Sequence, residues 1–317
     1  MGEAEPVRTG KQEEQRLRKP AWLMDCSFAL PLHVDVIETT RRLLSLVKVE
    51  HTLFGLPLAL TGTILAARGL PNARILALVT IAFAGARAAA MGFNRLADRH
   101  LDAANPRTAA REIPSGLVKA TQAWGLVTVS AAVFFSAAWA LNELCFHFSP
   151  LVLAALLGYS YTKRFTTWCH ILLGMCLGLA PVAGWLAVTP EWAWIPVVLA
   201  LGVAFWVAGF DIVYACQDVD FDRTSGLYSL PTKLGTRAAL RLAAALHVAA
   251  LGFFLLTGVL ASLRWPFYIL SLITAGLLFW EHRIVRPGDL SRLDLAFFKV
   301  NSMVSLSLIA AVSCGLL

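Results

Sequence analysis

Two short segments of the chain carry acidic side chains at the spacing of one helical turn. In the first, Asn94, Asp98 and Asp102 recur every four residues, so a helix would place all three on one face. In the second, Asp218 and Asp222 are also four residues apart. Carboxylates at this spacing repel one another, and a bound cation relieves the repulsion. The alternative for the first segment is a solvated helix end with scattered acids, but the recurrence favours one shared site.

Two such acidic faces in one site would suit Mg²⁺ together with a diphosphate. Mg²⁺ prefers octahedral oxygen ligation, commonly from one or two carboxylates plus phosphate oxygens. Two ions held between the acid pairs would neutralise charge on a diphosphate leaving group. Lys163 is the candidate for a direct phosphate contact, the alternative being that it serves only to set the membrane topology. The other cations near the acids are Arg95, Arg99, Arg107, Arg111, Arg164 and Arg223.

The elements that carry these segments are long and apolar. Hydrophobic residues make up 58% of the 317 positions and charged residues only 15%. A helix needs about 20 apolar residues to cross the hydrocarbon core of a bilayer. Nine such stretches lie near 52–67, 75–93, 121–141, 148–161, 169–189, 193–216, 239–260, 265–280 and 295–317. They predict an all-α polytopic membrane protein, with nine transmembrane helices around a central cavity.

Lys and Arg are distributed unevenly along this arrangement. The first 48 residues and the loops after the second, fourth, sixth and eighth spans hold 22 of the 27, while the other loops hold three. Because Lys- and Arg-rich loops stay in the cytoplasm, both acidic segments are predicted to lie on the cytoplasmic side of the cell inner membrane. Residues 1–41 are predicted to be a cytoplasmic tail and 42–317 one membrane domain. The pI of about 9.3 then reflects topology and not nucleic-acid binding, and no obligate protein partner is indicated.

The flanks of the acidic segments extend the pattern. The first continues with PRT at 106–108 and REIPSG at 111–116, and the second runs DIVYACQDVDFDR over 211–223 and ends in SLP at 229–231. A further element is YSYTK at 159–163. Together these segments resemble the signatures of the UbiA prenyltransferase superfamily. The resemblance extends from about residue 42 to the end of the chain.

This resemblance implies a reaction and a set of ligands. Enzymes of the family ionise an allylic polyprenyl diphosphate, and an electron-rich aromatic ring attacks the resulting cation. The positions that match the family's Mg²⁺ and diphosphate ligands are Asn94, Asp98, Asp218 and Asp222, with Asp102 in support. The candidate substrate-binding residues are Tyr159, Lys163, Arg107 and Arg111. The implied partners are a polyprenyl diphosphate, an aromatic acceptor and the lipid bilayer.

Deeper charged residues point to the acceptor. Arg87 lies seven residues before Asn94, at a depth where a charge is expensive and usually faces a polar interior. It is the candidate partner of an acceptor carboxylate, and an Arg at this offset resembles the 4-hydroxybenzoate branch of ubiquinone synthesis. The alternative is an ion pair with Asp211, which has the same offset before Asp218. Asp211 and Tyr214 are the candidates to orient or deprotonate the acceptor hydroxyl.

Two further alternatives stay open. The segment KVEHT at 48–52 resembles a family subset of menaquinone synthesis through futalosine, whose acceptor is 1,4-dihydroxy-6-naphthoate. Since that acceptor also carries a carboxylate, Arg87 does not separate the two. A cation-coupled secondary transporter is the alternative of a different class, but such proteins place their sites near the bilayer midplane on broken helices. The acids here lie at helix ends, which favours the enzyme.

Overall fold

The computed structural model describes residues 31–48 and 52–317. Contacts along the chain divide it after Arg41, and residues 42–317 form one compact unit. Most of the predicted tail (1–30) lies outside the described residues, as do Val49, Glu50 and His51 of the segment that resembles the menaquinone subset. Within the described range, a helix from Pro31 to Leu46 crosses the boundary expected at residue 41.

Thirteen α-helices make up the described part of the chain, and it contains no β-strand. They are α1 (Pro31–Leu46), α2 (Thr52–Ala67), α3 (Ala73–Ala97), α4 (Arg99–Ala104), α5 (Ala120–Leu141), α6 (Glu143–Gly158), α7 (Cys169–Leu186), α8 (Trp194–Ala215), α9 (Val219–Thr224), α10 (Leu230–Leu234), α11 (Thr236–Leu260), α12 (Trp265–Ile284) and α13 (Asn301–Leu316). Short 3₁₀ helices at Tyr159–Arg164 and Cys216–Asp218 extend α6 and α8, and a π-helix at Leu295–Val300 precedes α13.

Nine of these helices coincide with the nine stretches predicted to span the membrane: α2, α3, α5, α6, α7, α8, α11, α12 and α13. In the described residues, seven helical segments are long and apolar enough to cross a membrane, and α2 contributes a shorter apolar helix from Phe54 to Ala67. The all-α membrane fold is therefore confirmed. The count of nine spanning helices stays a prediction.

Helix α7 is packed closely against α2 and α8 through its glycines. A Cβ placed on Gly174 would lie 2.1 Å from the carbonyl oxygen of Ala204 in α8. One placed on Gly184 would lie 2.0 Å from that of Ala59 in α2. Both separations are far below van der Waals contact. Small residues therefore let the helix backbones touch, which is the usual basis of helix association in a membrane.

Helix α8, which leads into the second acidic segment, is the most deeply buried of the seven long spans. Its inner side chains include Trp206 and Phe210, which belong to one apolar cluster with buried residues of α2, α11, α12 and α13. Close packing of this kind holds rotamers fixed. The end of α8 therefore presents its acidic residues from a rigid support.

A wide helical turn fixes the start of α13 beside α8. The fully buried Asn301 amide donates from Nδ2 to the carbonyls of Ala296 at 3.2 Å and Phe297 at 3.1 Å. Its Oδ1 accepts from the indole Nε1 of Trp206 at 2.9 Å. These bonds satisfy the carbonyls that a π-helix leaves displaced, and such turns often mark functional sites. Phe297 is thereby held against the ring of Tyr214, with the centroids 4.1 Å apart.

Candidate active site

The first acidic segment keeps its residues on one face although α3 ends within it. Asp98 lies between α3 and α4, yet its amide bonds the carbonyl of Asn94 at 2.9 Å. The amide of Asp102 in turn bonds the carbonyl of Asp98 at 2.8 Å. The i to i−4 pattern therefore runs through the junction, as the spacing predicted. Both carboxylates are buried, Asp98 to 2% and Asp102 to 5% exposure.

The second acidic segment follows α8 through a single 3₁₀ turn. Cys216–Asp218 form that turn, and α9 then carries Asp222 in its first turn. Although these residues lie more than a hundred positions beyond the first segment, the two meet in one polar cavity of about 200 Å³. Of the twelve residues predicted for the site, this cavity is lined by Asn94, Asp98, Asp102, Arg107, Arg111, Tyr159, Lys163, Tyr214, Asp218 and Asp222.

The carboxylate of Asp98 is paired with the cations that follow α6. Lys163 Nζ lies 2.7 Å from Asp98 Oδ2, and Arg164 Nη2 lies 3.1 Å from Asp98 Oδ1. The amide of Asn94 also donates to Asp98 Oδ2, at 3.3 Å. Lys163 and Arg164 are about one-third exposed. Arg164 is also held by the carbonyl of Ala97, to which its Nη2 donates at 2.7 Å, and its Nη1 is buried, so Lys163 is the cation that can move more easily away from the carboxylate.

Arg107 joins the two acidic segments directly. Its Nε and Nη2 donate to the two carboxylate oxygens of Asp218, at 2.9 and 2.6 Å, a two-bond geometry that favours Arg. Its Nη1 donates to the hydroxyl of Tyr214 at 3.1 Å. Burial lowers the pKa of Arg107, but the hydrogen bonds and charges of Asp218 and Tyr214 outweigh it and raise the pKa above its usual value. Arg107 therefore carries a full charge in the site.

The donor atoms of the cavity suit a hard divalent cation such as Mg²⁺. They are carboxylate and amide oxygens, which that ion prefers. Oδ1 of Asp102 accepts a hydrogen bond from Nη1 of Arg111 at 2.7 Å, while Oδ2 of Asp102 is buried without a hydrogen-bond partner among the described residues. In that part of the chain, no three acidic, His or Cys side chains are already gathered around one point. The residues fit the ion in chemistry, and the acids would exchange their present cationic partners to hold it.

Two of the predicted residues, Asp211 and Arg87, do not line this cavity. Asp211 Oδ2 lies 2.6 Å from Nδ1 of His170, so the structure gives Asp211 a histidine of α7 as a partner, and the alternative pairing of Asp211 with Arg87 stays a prediction. The guanidinium of Arg87 lies over the ring of Phe54, 5.7 Å from its centroid. Two turns of α3 separate Arg87 from Asn94. Their Cα positions therefore differ by roughly 10 Å along the helix axis, which places Arg87 deeper in the bundle.

A comparison with known families agrees with the motifs. A profile of the UbiA prenyltransferase family matches residues 55–303, which is well over half of the chain. The chain belongs to the UbiA prenyltransferase family. It is therefore a multi-pass membrane enzyme of the prenyltransferase class, and the transporter alternative is wrong.

Relatives of this UbiA-family chain come from bacteria and archaea. The 4-hydroxybenzoate octaprenyltransferase of Vibrio cholerae is 30% identical over 78% of this chain and 87% of its own length. That of Yersinia pseudotuberculosis is 32% identical over 68% and 74%. The apo structure of a UbiA homologue from Aeropyrum pernix superposes with a TM-score of 0.75 at 33% identity, covering 83% of this chain and 97% of that one. A homologue from Archaeoglobus fulgidus bound to GPP and Mg²⁺ has the same fold, with a TM-score of 0.66 at 20% identity over 86% and 99%.

Asn105 and His170 are among the residues of this UbiA-family enzyme that contact the predicted site but that sequence reasoning missed. Asn105 donates to Asp218 Oδ1 at 3.2 Å and accepts from the amide of Arg107 at 3.0 Å, so it fixes the start of the Arg107 loop. Its position directly before Pro106 in the first flank is a turn signal that could have identified it. The second is His170, and no spacing in the sequence relates it to Asp211.

Proposed function

We propose that this enzyme transfers a polyprenyl group from its diphosphate to an aromatic acceptor, 4-hydroxybenzoate in the first instance, in a Mg²⁺-dependent reaction. The observation that carries the proposal is the meeting of two acidic segments in one polar cavity at the ends of apolar helices. A polyprenyl tail can stay among the apolar helices while its diphosphate reaches this cavity.

Asn94, Asp98, Asp218 and Asp222 would hold the metal, with Asp102 in support. When bound, Mg²⁺ supplies neutralisation of the charge on the leaving diphosphate. The charged residues that line the cavity are balanced, because four carboxylates face Arg95, Arg107, Arg111 and Lys163. A diphosphate alone would leave this balance strongly negative. The lining therefore favours a nearly neutral combination of cations and diphosphate.

Lys163, Arg107 and Arg111 would bind the diphosphate oxygens once the carboxylates have other partners. Each of them now pairs with one of the acids, at 2.6 to 2.7 Å. Because their side chains are 25 to 35% exposed, small movements would turn them towards an anion in the cavity. Tyr159, at the start of the same 3₁₀ helix as Lys163, would complete the wall beside it.

The acceptor would lie deeper than the diphosphate, between Arg87 and the second acidic segment. Arg87 would bind its carboxylate through two parallel hydrogen bonds. Asp211 and Tyr214 would orient the acceptor hydroxyl, which keeps electron density in the ring that attacks. The aromatic contact between Phe54 and Phe210, with centroids 6.0 Å apart, connects the α2 wall near Arg87 to α8, so the acceptor would lie beside a rigid apolar core.

The distribution of Lys and Arg supports a location in the cell inner membrane, with the polar cavity on the cytoplasmic side. Twenty-two of these residues lie on the side of the acidic segments by the predicted topology. Water-soluble Mg²⁺ would then enter from the cytoplasm. With nine spans the C-terminus would lie on the opposite face.

Product mass is the direct test of this function. Membrane vesicles that contain the protein are incubated with octaprenyl diphosphate, Mg²⁺ and either 4-hydroxybenzoate or 1,4-dihydroxy-6-naphthoate. We expect the mass of prenylated 4-hydroxybenzoate, with diphosphate release that stops when Mg²⁺ is chelated. If product forms only with 1,4-dihydroxy-6-naphthoate, then that compound is the acceptor and 4-hydroxybenzoate is not. Product from neither acceptor would contradict an aromatic acid as substrate.

A further inference from the structure

A buried histidine links three elements at the membrane-embedded edge of the site. His170 is the second residue of α7, and its side chain is only 4% exposed. Its Nδ1 lies 2.6 Å from Asp211 Oδ2 on α8. The backbone amide of Leu230, at the start of α10, donates to its Nε2 over 3.3 Å. One imidazole therefore contacts α8 and the loop that closes the second acidic segment.

These two contacts fix where the imidazole proton lies. Because an amide N–H points at Nε2, that nitrogen acts as an acceptor and carries no hydrogen. The ring proton is therefore on Nδ1 and is donated to the carboxylate of Asp211. A hydrogen bond to an ionised carboxylate is shorter and stronger than a neutral one, in agreement with the distance of 2.6 Å.

In the His170–Asp211 pair, the carboxylate is the more exposed group. The side chain of Asp211 is 19% exposed, whereas that of His170 is 4% exposed. In the described part of the chain, His170 is the only side chain joined to Asp211 by a hydrogen bond or ion pair. Asp211 is thus free to meet a substrate group on one side while His170 holds it on the other.

We propose that His170 is a positioning residue for the acceptor, acting through Asp211. Its Nδ1–H holds the carboxylate in the orientation in which it accepts a hydrogen bond from the acceptor hydroxyl. This inference rests on the proposed function, since it requires an acceptor that carries a hydroxyl. The contact with Leu230 offers a competing role, in which His170 only supports the α10 loop near Asp222.

Two substitutions separate the contacts. In His170→Asn the side-chain amide nitrogen lies where Nδ1 was, so the donor to Asp211 is kept and the acceptor for Leu230 is lost. In His170→Gln the amide reaches the place of Nε2, so the acceptor is kept and the donor to Asp211 is lost. His147→Asn, at an exposed histidine near the start of α6, is the matched control.

Kinetics are measured separately for the two substrates, with thermal unfolding in detergent as the check on folding. We expect His170→Gln to lower kcat/KM for the acceptor about 10- to 100-fold, the size of a lost charge-assisted hydrogen bond, with the KM for the prenyl diphosphate within about twofold of wild type. His170→Asn should retain most of the acceptor activity. If Asn is the damaged variant and Gln is not, or if neither is damaged, His170 does not act through Asp211.

A double-mutant cycle keeps the inference testable if the single variants are unstable. Asp211→Ala removes the carboxylate that accepts from Nδ1–H, so His170 has nothing left to position there. If His170 acts through Asp211, adding His170→Gln to Asp211→Ala should cause little further loss, because the two residues form one unit. If the loss of kcat/KM in the double variant equals the product of the two single losses, the residues act independently and the proposal is wrong. Absence of acceptor product from the wild-type enzyme would instead refute the proposed function, and this inference with it.

Discussion

Asp218 offers the sharpest test of the proposed metal site, because its charge can be removed with almost no change in shape. Asp218→Asn keeps an oxygen and the volume of the side chain, while the cavity lining loses one of its four negative charges. Asp220→Asn is the matched control. Asp220 lies two residues further on, in the first turn of α9, but it is exposed and does not line the cavity.

The expected loss follows from the position of the carboxylate. Asp218 is 17% exposed, so an effective dielectric constant between the interior and water applies. A unit charge about 4 Å away interacts by about 4 kcal/mol at an effective dielectric of about 20. Since each 1.4 kcal/mol corresponds to about tenfold in rate, kcat/KM for the polyprenyl diphosphate should fall by about three orders of magnitude. The control should stay within about twofold of wild type.

The assay measures diphosphate release from vesicles at increasing Mg²⁺ concentrations. If Asp218 is a metal ligand, the Asn variant should need more Mg²⁺ for half-maximal activity, and not only turn over more slowly. Thermal unfolding checks that loss of the Arg107 pair has not disrupted the site. A loss of less than tenfold, or an equal loss in Asp220→Asn, would refute the metal-ligand role.

Three other substitutions test the acceptor pocket, the helix packing and the N-terminal contact. Arg87→Ala should lower kcat/KM for the acceptor by about 10- to 150-fold, corresponding to ~1.5–3 kcal/mol, and Arg87→Lys should restore only part of it. Equal losses for both substrates would contradict the proposal that Arg87 binds the acceptor carboxylate. Gly174→Ala should destabilise the protein in detergent by about 1–3 kcal/mol, because the new Cβ would lie 2.1 Å from a carbonyl oxygen of α8. Gly125→Ala is the control and should not destabilise it, because the Cβ there would meet no atom of another element within 4 Å. Equal melting temperatures of the two variants would contradict the packing. Burial raises the pKa of Glu112, but the hydrogen bond from Ser45 and nearby cations lower it below the usual 4.5. Ser45→Ala should therefore lower the free energy of unfolding by about 1 kcal/mol at pH 7, and this difference from wild type should disappear as the pH falls below 4.5. A difference of the same size at low pH would mean that the ionised Glu112 carboxylate is not its source.

Much of the fold could be predicted because the signals are local. Apolar runs of membrane-spanning length set the helix positions, and the four-residue spacing of Asn94, Asp98 and Asp102 set their common face. The start of α6 was harder to predict. It begins at Glu143 because Asn142 accepts from the amide of Cys145 at 2.9 Å and donates to the carbonyl of Leu186 at 2.8 Å, whereas hydropathy alone indicated a start near 148. A capping side chain fixes this end, and Glu143, His147 and Ser149 lower the hydropathy of the first two turns.

The deeper part of the site was less accessible to sequence reasoning, because its contacts depend on packing between separate helices. The sequence suggested Arg87 or the acceptor as the partner of Asp211, on the basis of matching offsets within α3 and α8. The partner in the structure is His170, 41 residues earlier, at a helix start defined by how α7 packs on α8. The π-helix before α13 was equally hidden, since it depends on the contact of Asn301 with Trp206.

If the cavity binds Mg²⁺ and a diphosphate as proposed, its ion pairs connect the binding of one to the binding of the other. Lys163 and Arg107 occupy the carboxylates that a metal needs, at 2.7 and 2.6 Å. If these cations left for solvent, their partners would be uncovered in a largely buried place, which is unfavourable. They can leave at little cost only when an anion accepts their hydrogen bonds and another cation covers Asp98 and Asp218. On the proposed function the acids and the basic residues would therefore exchange partners together, neither ligand alone would gain the full binding energy, and after transfer the same ion pairs would re-form as the diphosphate departs.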